Sequence, residues 1–133
     1  MLSVVMPAHN EAGYLETAVR DVDEGLRDRG HELEILVVEN GSTDETLASS
    51  RHLADEIPSL RISTRAVAAY GAALREGILS GRGELIVTRR ASDRRAARHR
   101  AGAAAFTHAD LAASAPDAGR DDRAAAHPLA RRA

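Results

Sequence analysis

Continuous apolar runs and helically spaced apolar positions alternate from residue 2 to residue 87, and that alternation predicts an α/β fold. Leu2-Ser3-Val4-Val5-Met6 is a short apolar run closed by Pro7, the pattern of a strand buried on both faces and ended where proline has no N–H to donate. From Ala12 to Arg29, Leu15, Ala18, Val19, Val22 and Leu26 recur at helical spacing, with Asn10 placed to cap the first turn and Gly30 to stop the last. Leu33 to Val38 reads as a second buried strand. Ser42 and Glu45 then have the spacing of a capping box, which predicts a second helix from Thr43 towards Glu56, broken by Pro58. Leu60 to Ser63 predicts a third strand, Tyr70 to Ser80 a third helix, and Glu84 to Val87 a fourth strand.

Strands separated by helices pair in parallel through crossover connections, so the expected fold is a doubly wound, mostly parallel, Rossmann-like sheet. Ligands of such sheets bind at the carboxyl ends of the strands, and the loops after Met6 and Val38 should share that edge. After Val87 the pattern stops. Val, Ile, Glu, Met and Tyr do not occur again, and alanine and arginine dominate Arg89 to Ala133. Alanine favours helix but buries too little apolar surface to offset the entropy of ordering, so a poorly ordered tail with helical pieces, such as Arg94 to Ala105, is expected. The chain thus divides into a folded portion, 1–87, and a tail, 88–133.

Composition removes several classes of function. With no cysteine there is neither a disulfide framework, a thiolate metal site nor a cysteine nucleophile. The net charge of -2 gives no general attraction to nucleic acid, and the arginines of the tail lack interleaved aromatics and are diluted by Asp110, Asp117, Asp121 and Asp122. All 18 basic residues are arginine, which reads as coding bias rather than selection for guanidinium chemistry. The histidines show no metal-ligand spacing, and only His9 falls in a candidate pocket. No run approaches the roughly 18 apolar residues of a spanning helix, and no basic-then-apolar leader opens the chain, so the expected location is the cytoplasm, without a transmembrane segment.

Two stretches carry chemistry. In Pro7-Ala8-His9-Asn10-Glu11 a strand delivers a polar loop to the start of a helix, where amide groups hold anions and polar side chains grip a base or ribose. The alternative is structural: Pro7 ends a strand, Asn10 caps a helix and Glu11 complements its dipole. In Glu39-Asn40-Gly41-Ser42-Thr43-Asp44-Glu45 a carboxylate leaves the end of a buried strand beside a glycine turn, where it can accept hydrogen bonds from a ring N–H or ribose hydroxyls. Capping by Ser42 and Glu45 accounts for Gly41 to Glu45 but leaves Glu39 unexplained. A nicotinamide-binding domain would need a glycine-rich first turn, and Pro7 to Glu11 contains no glycine.

Together the two stretches resemble family 2 glycosyltransferases of the GT-A fold. In that family the first strand ends in a proline-x-x-asparagine-glutamate loop, and the second in an acidic pair followed by glycine-serine-x-aspartate. Tyr70 to Ile78 and Gly83 to Val87 are similar to the helix beside the family's donor pocket and to the strand that leads to its metal-binding acids. The resemblance implies that Pro7, Ala8, His9, Asn10 and Glu11 line a nucleotide pocket. It places Glu39 on the nucleobase and includes Asn40, Gly41 and Ser42 in the site, Asn40 standing where a second aspartate is usual.

The same resemblance implies transfer of a sugar from a nucleotide-diphosphate donor to an acceptor, with Mg2+ or Mn2+ held by an aspartate-x-aspartate motif. This chain reads Thr88-Arg89-Arg90-Ala91-Ser92-Asp93 at that point, so the motif is absent and no residue is assigned as metal ligand or catalytic base. The abrupt change of composition suggests a truncated GT-A domain whose reading frame shifts near Val87. Two expectations follow: a glycosyltransferase, or a non-catalytic truncated or frame-shifted remnant with at most weak nucleotide binding.

Overall fold

The computed structural model describes residues 1–92 and the backbone of Ala104–Thr107. Its elements run β1 (Leu2–Ala8), α1 (Ala12–Arg27), β2 (Leu33–Asn40), α2 (Thr46–Glu56), β3 (Leu60–Arg65), α3 (Tyr70–Ser80), β4 (Leu85–Thr88) and β5 (Ala104–Thr107). The sheet order is β3-β2-β1-β4-β5. β1 pairs in parallel with β2 and β4, and β2 with β3, while β5 joins β4 antiparallel. The doubly wound, mostly parallel expectation is met.

Side-chain alternation along the strands makes three layers. Val4, Met6 and Ala8 of β1 and Ile35 and Val37 of β2 pack with Leu15, Ala18, Val19 and Val22 of α1 and Leu53 of α2. Val5, Leu36, Val38 and Ile86 pack with Ala73 and Ile78 of α3 on the other face. Val5, Met6, Ile35, Val37 and Val38 are wholly buried, so both faces of the central strands are covered, as their unbroken apolar runs require. Helix α3 lies close because Gly77 has no side chain: a Cβ there would overlap Val5 Cγ1 and stand 3.0 Å from Val38 Cγ2.

At the amino edge of the sheet a buried glutamate organises the turn into β4. Glu34 accepts from Ser3 Oγ at 2.6 Å, from Arg61 Nη1 at 2.8 Å and from the Arg82 amide. Ser3 Oγ in turn accepts from the Gly83 amide at 2.7 Å. Burial by itself would raise the Glu34 pKa, but the Arg82 amide, the Ser3 hydroxyl and the Arg61 guanidinium together hold it below the usual glutamate value.

Several boundaries differ from the sequence reading, each for a local reason. β1 continues through Pro7 to Ala8. Val5, paired with Thr88, is the last β1 residue in the β4 register, and its carbonyl accepts from Arg89 N at 2.9 Å. Pro7, two residues further on, directs its backbone nitrogen to the side where β4 has ended, so it has no ladder bond to lose. β2 continues through Glu39 and Asn40, both buried, because β1 and β3 still pair with it there. Helix α1 ends at Arg27 rather than Arg29, with Gly30 at φ 74° in the turn that follows. Helix α2 begins at Thr46, three residues after the expected Thr43, and ends before Ile57, which Pro58 holds extended.

A strand after Val87 is the further difference. The expected helix Arg94 to Ala105 gives way at Ala104 to β5, and the rest of that stretch lies outside the described residues. Pairing with the open side of β4 satisfies backbone groups and asks nothing of side-chain hydrophobicity, which is why an alanine-rich segment can do it.

Candidate functional site

The loop after β1 and the loop after β2 meet at the carboxyl edge of the sheet and are laced together by hydrogen bonds. Asn10 has φ 51°, a left-handed backbone that asparagine tolerates better than most residues. Its Oδ1 accepts from Thr43 N at 2.8 Å, and its own N–H donates to Ser42 Oγ at 3.0 Å. Glu11 N donates to Thr46 Oγ1 at 2.9 Å, and Ala12 N to Asp44 Oδ2 at 3.4 Å. The Ala12 amide, which lacks a partner inside α1, and the two amides just before the helix are thus taken up by the other loop.

This arrangement corrects both capping expectations. Asn10 does not cap α1; Glu11 holds the cap position without a side-chain bond, and the Asn10 side chain turns to Thr43. Ser42 and Glu45 do not form a capping box: Ser42 faces Asn10, and Asp44 Oδ1 takes the Thr46 amide at 2.9 Å. Hydrogen bonds to Asp44 from the Thr46 hydroxyl, then from the Thr46 and Ala12 amides, hold its carboxyl below the usual aspartate range. The side chains are of capping type, but each serves the neighbouring loop.

The end of β2 is held in the same way. Glu39 is buried, and its Oε1 accepts from Ser42 N at 2.6 Å, which closes the turn through Gly41. Gly41 has φ 65°, and a Cβ there would stand 2.8 Å from Ala68 N, so glycine is needed for both conformation and space. Asn40 Oδ1 accepts from Ala69 N at 2.9 Å and so fixes the start of α3. The Asn40 carbonyl accepts from His9 Nδ1 at 2.8 Å, which ties the His9 ring to β2.

Between these loops and α3 lies an open cleft of about 350 Å³. Pro7, Ala8, His9 and Glu11 form one wall, Asn40 the floor, and Ala68, Ala69 and Tyr70 the side towards α3; Arg90 and Ser92, just past β4, close the rim. Arg90 lies over the Tyr70 ring, 4.5 Å from its centroid, and its Nε donates to Tyr70 Oη at 3.2 Å. Ser92 Oγ donates to Glu11 Oε1 at 2.9 Å, while Glu11 Oε2 is buried without a hydrogen-bond partner among the described residues.

Of the nine residues expected in the site, Pro7, Ala8, His9, Glu11 and Asn40 line the cleft. Asn10, Glu39, Gly41 and Ser42 stand beside it and hold the loops in place. Ala68, Ala69, Arg90 and Ser92 were not anticipated. The alanines carry no chemical signal, and Arg90 and Ser92 belong to a stretch whose composition looks unlike a folded protein. Asp44 and Thr46 were read as helix-start residues, and nothing local in the sequence tells capping one's own helix from capping a neighbour's.

Among the described residues no helix is long and apolar enough to cross a membrane, and no three His, Asp or Glu side chains are grouped to hold a metal ion.

The geometry has counterparts in solved structures. Over 68% of this chain it is similar, at 28% identity and a TM-score of 0.59, to the mannosyltransferase PcManGT from Pyrobaculum calidifontis, whose structure contains GDP-Man and Mn2+. Residues 1–349 of S. aureus TarS match 68% of the chain with a TM-score of 0.59 at 20% identity, and a mycobacterial protein does so with 0.53 at 24%, likenesses of fold alone. The chain spans 27% of the length of both PcManGT and that TarS fragment, and 30% of the mycobacterial protein. No curated protein sequence matches it. The profile of the family described as "Glycosyl transferase family 2" matches residues 3–89, from the second residue of β1 to just past β4 and across both laced loops, and the chain belongs to that family.

Proposed function

We propose that the cleft binds the nucleotide part of a nucleotide-diphosphate sugar, and that the chain serves transfer of that sugar to an acceptor. The observation that carries this reading is the meeting of the β1 and β2 loops at the carboxyl edge of a parallel sheet, where they open onto a cleft of about 350 Å³. Pro7 and Ala8 offer an apolar wall to a base, and Glu11 Oε2 a buried acceptor suited to ribose hydroxyls. Asn40 sits at the floor, and Glu39, Asn10, Gly41 and Ser42 keep the walls rigid before a ligand arrives. That PcManGT holds GDP-Man, and that TarS has been obtained with UDP-GlcNAc, supports a nucleotide-sugar donor.

PcManGT also carries Mn2+, and a divalent ion would neutralise charge on the diphosphate leaving group. The described residues of this chain do not fit such an ion. An ion of this kind is held by one or two carboxylates, here expected from the aspartate-x-aspartate motif, with phosphate oxygens and water as its other ligands. Here β4 leads into Thr88, Arg89 and Arg90, and Glu11 is the one carboxylate among the residues that line the cleft.

A second reading is favoured by that same segment: residues 1–87 are the nucleotide-binding half of a GT-A domain, and 88–133 a frame-shifted replacement for its second half, leaving a non-catalytic binder. Calorimetry with UDP, GDP, UDP-sugars and GDP-mannose, followed by an assay for sugar release or transfer, distinguishes them. Binding with turnover supports the transferase, binding without turnover the non-catalytic half, and no binding by a folded chain removes both. An intact frame around the Val87 codon, with no aspartate-x-aspartate in a neighbouring frame, refutes the frame shift.

A further inference from the structure

The floor of the cleft is a carboxamide held in one orientation. Asn40 ends β2 on the same face of the sheet as Val38, the face that α3 covers, and is 3% exposed. Its Oδ1 accepts from Ala69 N at 2.9 Å, and only the oxygen can take an amide N–H, so this contact settles which end of the carboxamide is which. Nδ2 is the remaining polar atom of a side chain that lines the cleft, and no acceptor among the described residues takes its two hydrogens. They are what the floor offers a ligand. We infer that Asn40 sets the base specificity of the cleft, donating from Nδ2 to the exocyclic oxygen of uracil or guanine and disfavouring cytosine and adenine. This rests on the nucleotide reading above and narrows it to one class of base.

The shape of the cleft directs a base towards that amide. Pro7 and Ala8 on one side and Ala68 and Ala69 on the other present short apolar surfaces that accept a flat ring, with Asn40 as the polar group at the floor. Glu39, the neighbouring acid, falls on the opposite face of the sheet, since side chains alternate along a strand, and its Oε1 is engaged by the Ser42 amide. The edge of a base farthest from its ribose enters deepest. That edge carries a carbonyl oxygen in uracil and guanine and an amino group in cytosine and adenine. The oxygen gives Nδ2 its acceptor. An amino group instead sets donor against donor and leaves both unpaired away from water, a mismatch that a site built for hydrogen bonding rejects.

The test is calorimetry on the full chain with UDP, CDP, GDP and ADP in one buffer. The expected result is UDP tighter than CDP, and GDP tighter than ADP, each by about tenfold. Asn40→Asp keeps an oxygen for the Ala69 amide but turns the donor into an acceptor, ionised at about pH 8, so there the order within each pair should reverse. A parent chain that binds the members of a pair within about threefold, or that prefers CDP or ADP, overturns the inference while the nucleotide reading stands, and that comparison needs no variant. An Asn40→Asp chain that is folded by circular dichroism and keeps the parent's ratios overturns it too. Failure of all four diphosphates to bind to a folded parent chain overturns the nucleotide reading and this inference with it.

Discussion

Replacing Asn10 by alanine removes one of the contacts that lace the two loops of the cleft together. Asn10 Oδ1 accepts from Thr43 N at 2.8 Å and lies 3.3 Å from Thr43 Oγ1, and alanine removes both contacts. Thr43 is exposed, so water replaces the missing acceptor, and the loss is that of an ordinary hydrogen bond, about 1 kcal/mol. Alanine must also hold φ near 51°, where asparagine is tolerated and alanine costs roughly 1 kcal/mol more. The sum is about 2 kcal/mol, which for an ordered unit of this size lowers Tm by roughly 8 to 12 °C. Asn10→Gly loses the same hydrogen bond but relieves the backbone, so it should destabilise by about half as much. Thermal and urea denaturation followed by circular dichroism gives both values. If Asn10→Ala lies within about 0.5 kcal/mol of the parent, or Asn10→Gly is the less stable variant, the latch is not formed as described.

Gly77→Ala should destabilise by about 1 to 3 kcal/mol, because its methyl group overlaps Val5 in a packed interior, and an unchanged urea midpoint would mean that α3 sits further from the sheet. Glu34 has its folded-state pKa lowered, so its contribution is complete above the unfolded value, about 4.3, and is lost as pH falls through the lower folded value. Glu34→Gln should therefore be less stable than the parent at neutral pH, the gap closing on acidification; a gap independent of pH would exclude Glu34 as the cause. Glu39→Ala should abolish nucleotide binding, because the Ser42 amide loses the acceptor that closes the turn, and unchanged affinity would remove Glu39 from the site.

The layers of the fold were legible because both faces of β1 and β2 are covered, which writes itself as unbroken apolar runs, and α3 was placed at Tyr70–Ser80 as found. Loop chemistry was less legible for a definite reason. Asn10, Ser42 and Asp44 have side chains suited to capping, and spacing alone assigns each to its own helix, whereas the parallel sheet brings the two loops together and exchanges their partners. Glu39 was singled out correctly as unexplained by capping, and its carboxylate turns out to hold the Ser42 amide beside the cleft. Arg90 was set aside with the segment that follows it, since its place over Tyr70 depends on a contact between residues 20 apart in sequence. β5 was invisible because edge pairing through backbone groups leaves no hydrophobic signature.

The central claim is that the β1 and β2 loops form one nucleotide-recognising cleft, and amide chemical-shift mapping with UDP and GDP tests it directly. The account predicts shifts concentrated at His9 to Ala12, Asn40 to Asp44 and Ala68 to Tyr70, with the amino edge around Ser3 and Glu34 unmoved. Perturbations confined to other surfaces, or a spectrum that saturating nucleotide leaves unchanged, would contradict it.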